Sequence, residues 1–457
     1  MKEIEIRELD YKRFNALAGH SRSPAAGYVS KEIAWYANEN ETVLGVLLLD
    51  TVDHDYAAIL MARDEVGVYR CFDLECSIPN LEDARDWLIR AMKWHTGQGL
   101  NVYAQGESAG GIDLFDPVAS PEKQHPYFVC LARDSAFVPA RSIINEMMPH
   151  FVDVDGNFVE QFQTTGFDSR LWELYLHAYL VEDQFFIERK FHAPDFMVTK
   201  HGETVAIEAV IVGRKKDKPA RYFKLMPEML SPQQIREMNK HEMPIRFGSP
   251  LYSKLQKEYW NLEHVKGKPL VFAIADFHDD QSMLWSSTAL ISYLYGVHHD
   301  FCYDDNGQLI ISPLKIDAHK VGKKEVPSGF FFQSGAENIS AVLFSASGTI
   351  SKFNRIGRQA GFHDPSVTMI RIGTCYNHDP NACIPKLFRY VVDERSEETW
   401  AEGLSMFHNP RAINPVPREL FPSIAHHEFI DGQIVSQLPD FYPYASITLN
   451  IRATSSG

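Results

Sequence analysis

The sequence predicts a mixed α/β (α+β) chain. A central mixed sheet flanked by helices stands between an N-terminal α/β unit and a C-terminal β-rich region. Three observations predict it. Apolar runs at 43–49, 56–61 and 68–72 are separated by the tight acidic turns at Asp50–Asp55 and at Asp64-Glu65-Val66-Gly67, the pattern of a strand meander. A middle segment then reads helix, three strands, helix, strand. Beyond residue 281 short apolar runs alternate with Gly, Pro and Asn. The expected division is 1–140 for the N-terminal unit, 141–280 for the central one and 281–457 for the β-rich region.

Each element has its own warrant. Residues 81–94 carry Leu81, Ala84, Trp87, Leu88, Ala91 and Met92 at helical spacing. Residues 142–180 read as helix in two pieces, the second capped by Asp168 and bearing Leu171, Trp172, Leu174, Tyr175, Ala178 and Tyr179. Strands follow at 184–191, 195–199 and 204–212, the last two joined by a His201-Gly202 turn. Residues 213–248 are basic and irregular. Ser249-Pro250 predicts a helix start, with proline at the first helical position, and the helix runs to about 262. A buried strand follows at 270–275. The C-terminal strands are expected near 309–311, 341–345, 368–372 and 446–451.

Composition bounds the function. A chain of 457 residues exceeds one ordinary core, so several domains are expected. With 45% hydrophobic and 23% charged residues it has the makings of large buried cores. Without an apolar run near eighteen residues, no membrane-spanning helix is expected. The N-terminus alternates charge with apolar residues, as a strand does and a signal peptide does not. Six scattered cysteines in such a chain suit reduced thiols, and the expected location is cytoplasmic. A net charge of −15 argues against non-specific coating of nucleic acid but leaves room for a local basic groove.

Three acids stand out in the middle segment. Glu173 lies mid-helix among Leu, Trp and Tyr. Asp195 opens a strand within Ala193-Pro194-Asp195-Phe196. Glu208 sits inside Val205-Ala206-Ile207-Glu208-Ala209-Val210-Ile211-Val212, where an ionised carboxylate is costly unless a metal or partner compensates it. Thirteen positions separate Asp195 from Glu208, enough for a hairpin that brings them together.

This arrangement resembles the PD-(D/E)XK nuclease superfamily, which has the restriction-endonuclease-like fold. Pro194-Asp195 matches its strand start, Glu208 its strand acid and Glu173 its helical acid, over about a quarter of the chain. The family lysine position is occupied by Val210. On a strand it shares the face of Glu208, and valine cannot stabilise developing negative charge. A lysine from a neighbouring element is therefore expected. Lys254 borders the apolar stripe Leu251, Leu255, Tyr259 and Leu262 of the second helix, with Gln256 and Lys190 in reserve.

The resemblance implies Mg²⁺- or Mn²⁺-dependent cleavage of phosphodiesters in DNA, RNA being the lesser expectation, in host defence or genome maintenance. Asp195, Glu208 and the carbonyl of Ala209 would hold the metal, with Glu173 on a second ion or a ligand water. Lys254 would act on the scissile phosphate. Arg214, Lys215, Lys216, Lys218 and Arg221 follow the third strand and offer phosphate contacts. The accessory regions leave open a homo-oligomer or a partner protein. The alternative is a non-catalytic nucleic-acid-binding or assembly module on the same fold, which Val210 favours. Each acid alone is more often structural, and the basic run alone is more often a solvated loop.

Other signals weigh less. Gly106-Glu107-Ser108-Ala109-Gly110-Gly111 matches a nucleophile elbow and makes a serine esterase the rival of another class, but the helix after it is weak. Asp50, Asp53 and Asp55 read as a turn rather than a cation site. Cys375, His378 and Cys383 fit no common zinc spacing. His298-His299-Asp300 and His426-His427-Glu428 read as surface loops. Lys352, Arg355 and Arg358 form either a phosphate-facing helix edge or a solvated face.

Overall fold

The computed structural model describes residues 4–106, 112–215, 220 and 230–452. The first sheet is antiparallel and follows chain order: β1 (Ile6–Leu9), β2 (Ser30–Asn38), β3 (Val43–Asp50), β4 (Tyr56–Arg63) and β5 (Tyr69–Ile78). The helix Leu81–Gly97 is capped by Asn80, which accepts the Asp83 N–H. It covers this sheet with Ala84, Leu88 and Met92. Asp50 Oδ1 accepts the N–H groups of Val52 and Asp53 at 2.7 and 3.1 Å, so the acidic cluster is turn chemistry, as expected.

The second sheet has eight strands. The buried helix Phe167–Glu182 leads into β6 (Phe186–Glu188), β7 (Phe196–Lys200) and β8 (Glu203–Val212), an antiparallel meander. The helix Met243–Leu255 then crosses to β9 (Leu270–Asp276), parallel to β8. Two hairpins follow, β10 (Val297–Tyr303) with β11 (Leu309–Lys315) and β12 (Ala318–Val321) with β13 (Lys324–Pro327). β14 (Ala341–Ser345) returns beside β9 in parallel. β15 (Val367–Cys375) and β16 (Lys386–Val391) begin a three-stranded sheet. β17 (Leu404–His408), β18 (Ala425–Ile430) and β19 (Gln433–Gln437) rejoin the large sheet, and β20 (Pro443–Arg452) completes the small one. The large sheet runs β19-β18-β17-β14-β9-β8-β7-β6.

The division expected at 280 therefore cuts through this sheet. Every residue of β9 is buried, and a strand buried on both faces needs a neighbour at each edge. β8 supplies one and β14, from beyond residue 281, the other. The boundary at 140 likewise falls inside the helix Val138–Met147, which packs on the helix Ile350–Gln359.

The second helix of the middle segment also differs from expectation. It begins at Met243, with Pro250 inside it, and ends at Leu255. Met243, Phe247, Leu251 and Leu255 all enter one core, so packing holds the turn that Pro250 weakens. Glu258, at φ +50°, breaks the chain away before Tyr259. The N-cap of the helix Phe167–Glu182 is Gly166, with Asp168 in the first turn.

The basic edge at 352–358 turns inward. Lys352 and Arg355 are buried on Glu398, at 2.9 Å from Lys352 Nζ to Oε1 and 2.6 Å from Arg355 Nε to Oε2, and only Arg358 faces outward, to Glu394. His426 and His427 are buried on β18 rather than in a surface loop, and His426 Nδ1 lies 2.9 Å from His408 Nε2. His298–Asp300 belong to the β10–β11 hairpin. Cys375 is buried on β15, while Cys383 is exposed. Ser108 lies outside the described residues. Among the described residues no helix is long and apolar enough to cross a membrane.

Candidate functional site

The paired acids meet across the β7–β8 hairpin. Phe196 opposes Ile207 in the register, so the next step outward sets Asp195 against Glu208. Alternation decides the face. Phe196, Val198, Val205 and Ile207 pack beneath the helix Phe167–Glu182, whereas Met197, Ala206 and Val210 pack with the helix Met243–Leu255. Asp195 and Glu208 share the parity of the second set and so project to one side of the sheet.

Asp195 Oδ2 accepts the Ala209 N–H at 2.7 Å. The loop that carries it is pinned from outside. His264 stacks on Phe191 with ring centroids 3.7 Å apart and bonds the Ala193 carbonyl at 2.8 Å. Burial, then the neighbouring Glu208 charge, pushes Asp195 up to about 8. The proton that this retains near neutral pH belongs on Oδ1, because Oδ2 already accepts an N–H.

Glu208 is buried, and Lys254 Nζ donates to its Oε1, so the lysine expected from a neighbouring element arrives from the helix. Tyr259 OH donates to the same oxygen at 2.7 Å. Tyr259 reads from the sequence as part of an apolar stripe. The only hint of its role is that a buried tyrosine hydroxyl needs a partner. Val210 sits beside Glu208 on the same face, packed in the core. Gln256 is exposed at the helix end, and Lys190 pairs with Glu188 at 2.5 Å.

Glu173 is placed differently. It stands on the helix that covers the opposite face. Its Oε1 accepts from Arg170 at 2.7 Å and its Oε2 from Arg189 at 3.1 Å. Arg189 is clamped between the rings of Phe151 and Phe196, at 4.1 and 4.7 Å. Glu173's charge still raises Asp195, but two guanidinium groups occupy its oxygens. Ala209 enters the site through its N–H.

The basic run is only partly present here. Arg214 is engaged by Asp168 at 3.3 Å and by Asp280 at 2.5 Å. Lys215 is exposed, 4.0 Å from Glu242. Lys216, Lys218 and Arg221 lie outside the described residues.

Asp195 and Glu208 are the residues on this face that could hold a hard cation. They bring oxygen atoms of the chemistry a hard cation takes to one face, where the Asp195 proton and Lys254 now offset their charge. Among the described residues no group of three or more His, Cys, Asp or Glu converges on a metal position. Such an ion would complete its shell with water, as Mg²⁺ usually does. A cavity of about 360 Å³ lies elsewhere, between Tyr11, Glu182 and Trp400.

Comparison with known proteins finds no matching family model, no matching curated protein and no matching solved structure.

Proposed function

We propose that the chain is a metal-dependent nuclease of the PD-(D/E)XK type that hydrolyses phosphodiester bonds in DNA within the cytoplasm. The observation that carries the reading is the set Asp195, Glu208 and Lys254: two acids on one face of a hairpin and a lysine from the following helix that reaches Glu208. The order helix, three antiparallel strands, helix, parallel strand around them is the order the resemblance implies.

Asp195 and Glu208 would hold Mg²⁺ or Mn²⁺, which supplies charge screening of the phosphate and a more acidic water. Asp195 would have to release its proton to serve as an oxygen ligand to such an ion. Tyr259 and Lys254 together anchor Glu208 Oε1, which leaves its other oxygen for the ion. Lys254 would stand next to the scissile phosphate and stabilise charge that develops there. Glu173, held by Arg170 and Arg189, tunes Asp195 electrostatically.

Incubation with plasmid, single-stranded DNA and RNA under Mg²⁺ and Mn²⁺ tests this. Cleavage by the wild type that falls at least about a hundredfold in Asp195→Ala and in Glu208→Ala is the expected result. Retained cleavage in both variants rules the site out. The second reading, a binding or assembly module on the same fold, is favoured by Val210 at the lysine position and by the direct Lys254–Glu208 pair. Nucleic-acid binding without cleavage under either metal selects it.

A further inference from the structure

Two exposed apolar surfaces adjoin in the C-terminal part of the chain. The first is the small sheet β16-β15-β20. Its inner face carries the buried Arg371, held by Ser446, Tyr390 and Glu402. Alternation sends the intervening residues outward, with Val391, Ile370 and Leu449 in one row and Arg389, Ile372 and Ile447 in the next. On this outer face Leu387 is 77% exposed, and Val391, Ile447, Leu449 and Ile451 are between 41% and 52% exposed. Arg389 is the one charged residue at the outward positions, and among the described residues it pairs with no acid.

The second surface is the hairpin β10–β11. Of its two strands only Val297 is buried. A two-stranded ribbon is marginally stable on its own, so one open on both faces calls for a surface to lie on. Its tip is tied to the loop before β16, where Tyr303 OH donates to the Asn381 carbonyl at 3.0 Å and the Leu309 N–H to Asn381 Oδ1 at 3.1 Å. Tyr303 shares its face with Phe301 and Ile311, and the opposite face carries Asp300, Ile310 and Leu314. Asp300 is exposed, is the one acid on that face, and pairs with no base among the described residues.

We infer that the outer face of the small sheet is the docking site for the β10–β11 arm of a second copy of this chain, with Asp300 set against Arg389 of the partner subunit. Charge selects this occupant. The two faces are alike in their aliphatic side chains and opposite in their single unmatched charge, so each meets the other better than it meets itself. Pairing sheet with sheet would bring Arg389 to Arg389, and pairing arm with arm Asp300 to Asp300. A nucleic acid laid on the arm would meet Asp300 and Asp305. Arm and sheet belong to one chain, so a two-fold pair exchanges both arms and closes, with neither surface left over. The inference stands without the nuclease reading.

The test is sedimentation equilibrium and size exclusion with light scattering on the full chain. A mass of two chains at about 10 μM is expected, since specific interfaces fall in the micromolar range or tighter. Arg389→Asp and Asp300→Arg should each weaken the dimer at least about tenfold, because each sets like charges together. The double variant carrying both changes should regain wild-type association. Wild-type protein that stays monomeric at that concentration overturns the proposal whether or not any variant folds. So does a dimer that both single variants leave intact, or a double variant that is folded by circular dichroism and does not recover association.

Discussion

Asp195 retains its proton to about pH 8, while an unfolded chain releases it near the ordinary carboxylate value of about 3.9. Between those values the folded state binds more protons, so this residue's contribution to stability falls as pH rises through the window. Asp195→Asn should therefore gain stability over wild type between pH 5 and pH 8 in the absence of divalent ions, read from urea midpoints. Equal midpoint shifts at both pH values would contradict a raised Asp195. The same proton competes with a cation, so apparent Mn²⁺ affinity should rise by about tenfold per pH unit below 8. Lys254→Ala leaves a buried Glu208 with Tyr259 as its hydrogen-bond donor. It should cost about 1–3 kcal/mol of stability and be partly rescued by Mn²⁺. Loss of stability that Mn²⁺ leaves untouched would separate the lysine from the metal reading.

At the scale of elements, the site depends on two helices pressed on opposite faces of one sheet. Trp172 Nε1 donates to the Ala273 carbonyl at 2.9 Å, which ties the helix Phe167–Glu182 to β9. The helix Met243–Leu255 holds Lys254 in reach of Glu208 from the other side. A third contact, between the helices Ile350–Gln359 and Val138–Met147, is closed by Gly357. A Cβ added there would lie 2.2 Å from the Pro139 carbonyl oxygen, a backbone atom with little freedom to move. Gly357→Ala should cost about 1–3 kcal/mol or more, seen as a lower denaturant midpoint with an unchanged slope. A neutral substitution would mean that the two helices can part without loss.

For the whole molecule, the large sheet and its two cores are built from both sides of residue 280. β14 closes the open edge of β9, and Val342 and Leu343 enter opposite cores. A chain cut after residue 280 should fail to fold as a soluble monomer, checked by size exclusion and far-UV circular dichroism. A cooperative, monomeric 1–280 fragment would show the division to be real. Glu398 joins the regions further, since Lys352 and Arg355 of one helix and Arg371 of β15 all pair with it. The Arg355, Lys352 and Arg371 charges hold it well below the usual carboxylate range against burial, which pushes the other way. Its contribution is fully present above the unfolded value of about 4.3, declines as pH falls below it, and is lost only as pH falls through the depressed folded value. Glu398→Gln should cost about 3–5 kcal/mol at neutral pH and less, though not nothing, at pH 3, measured by thermal unfolding at both.

Local order was legible in the residues. Alternation and turn chemistry placed β3, β4, β7, β8 and β9, and an acid inside an apolar strand marked Glu208, because burying such a charge is costly wherever the chain goes. Periodicity carried Lys254 to the border of its helix. Partners across the fold were not legible. That Arg170 and Arg189 take Glu173, that Glu398 draws Lys352 and Arg355 inward, and that β14 and β17 extend the central sheet all depend on contacts between segments far apart in sequence. No local spacing encodes such a contact; it exists only once packing has decided which faces meet.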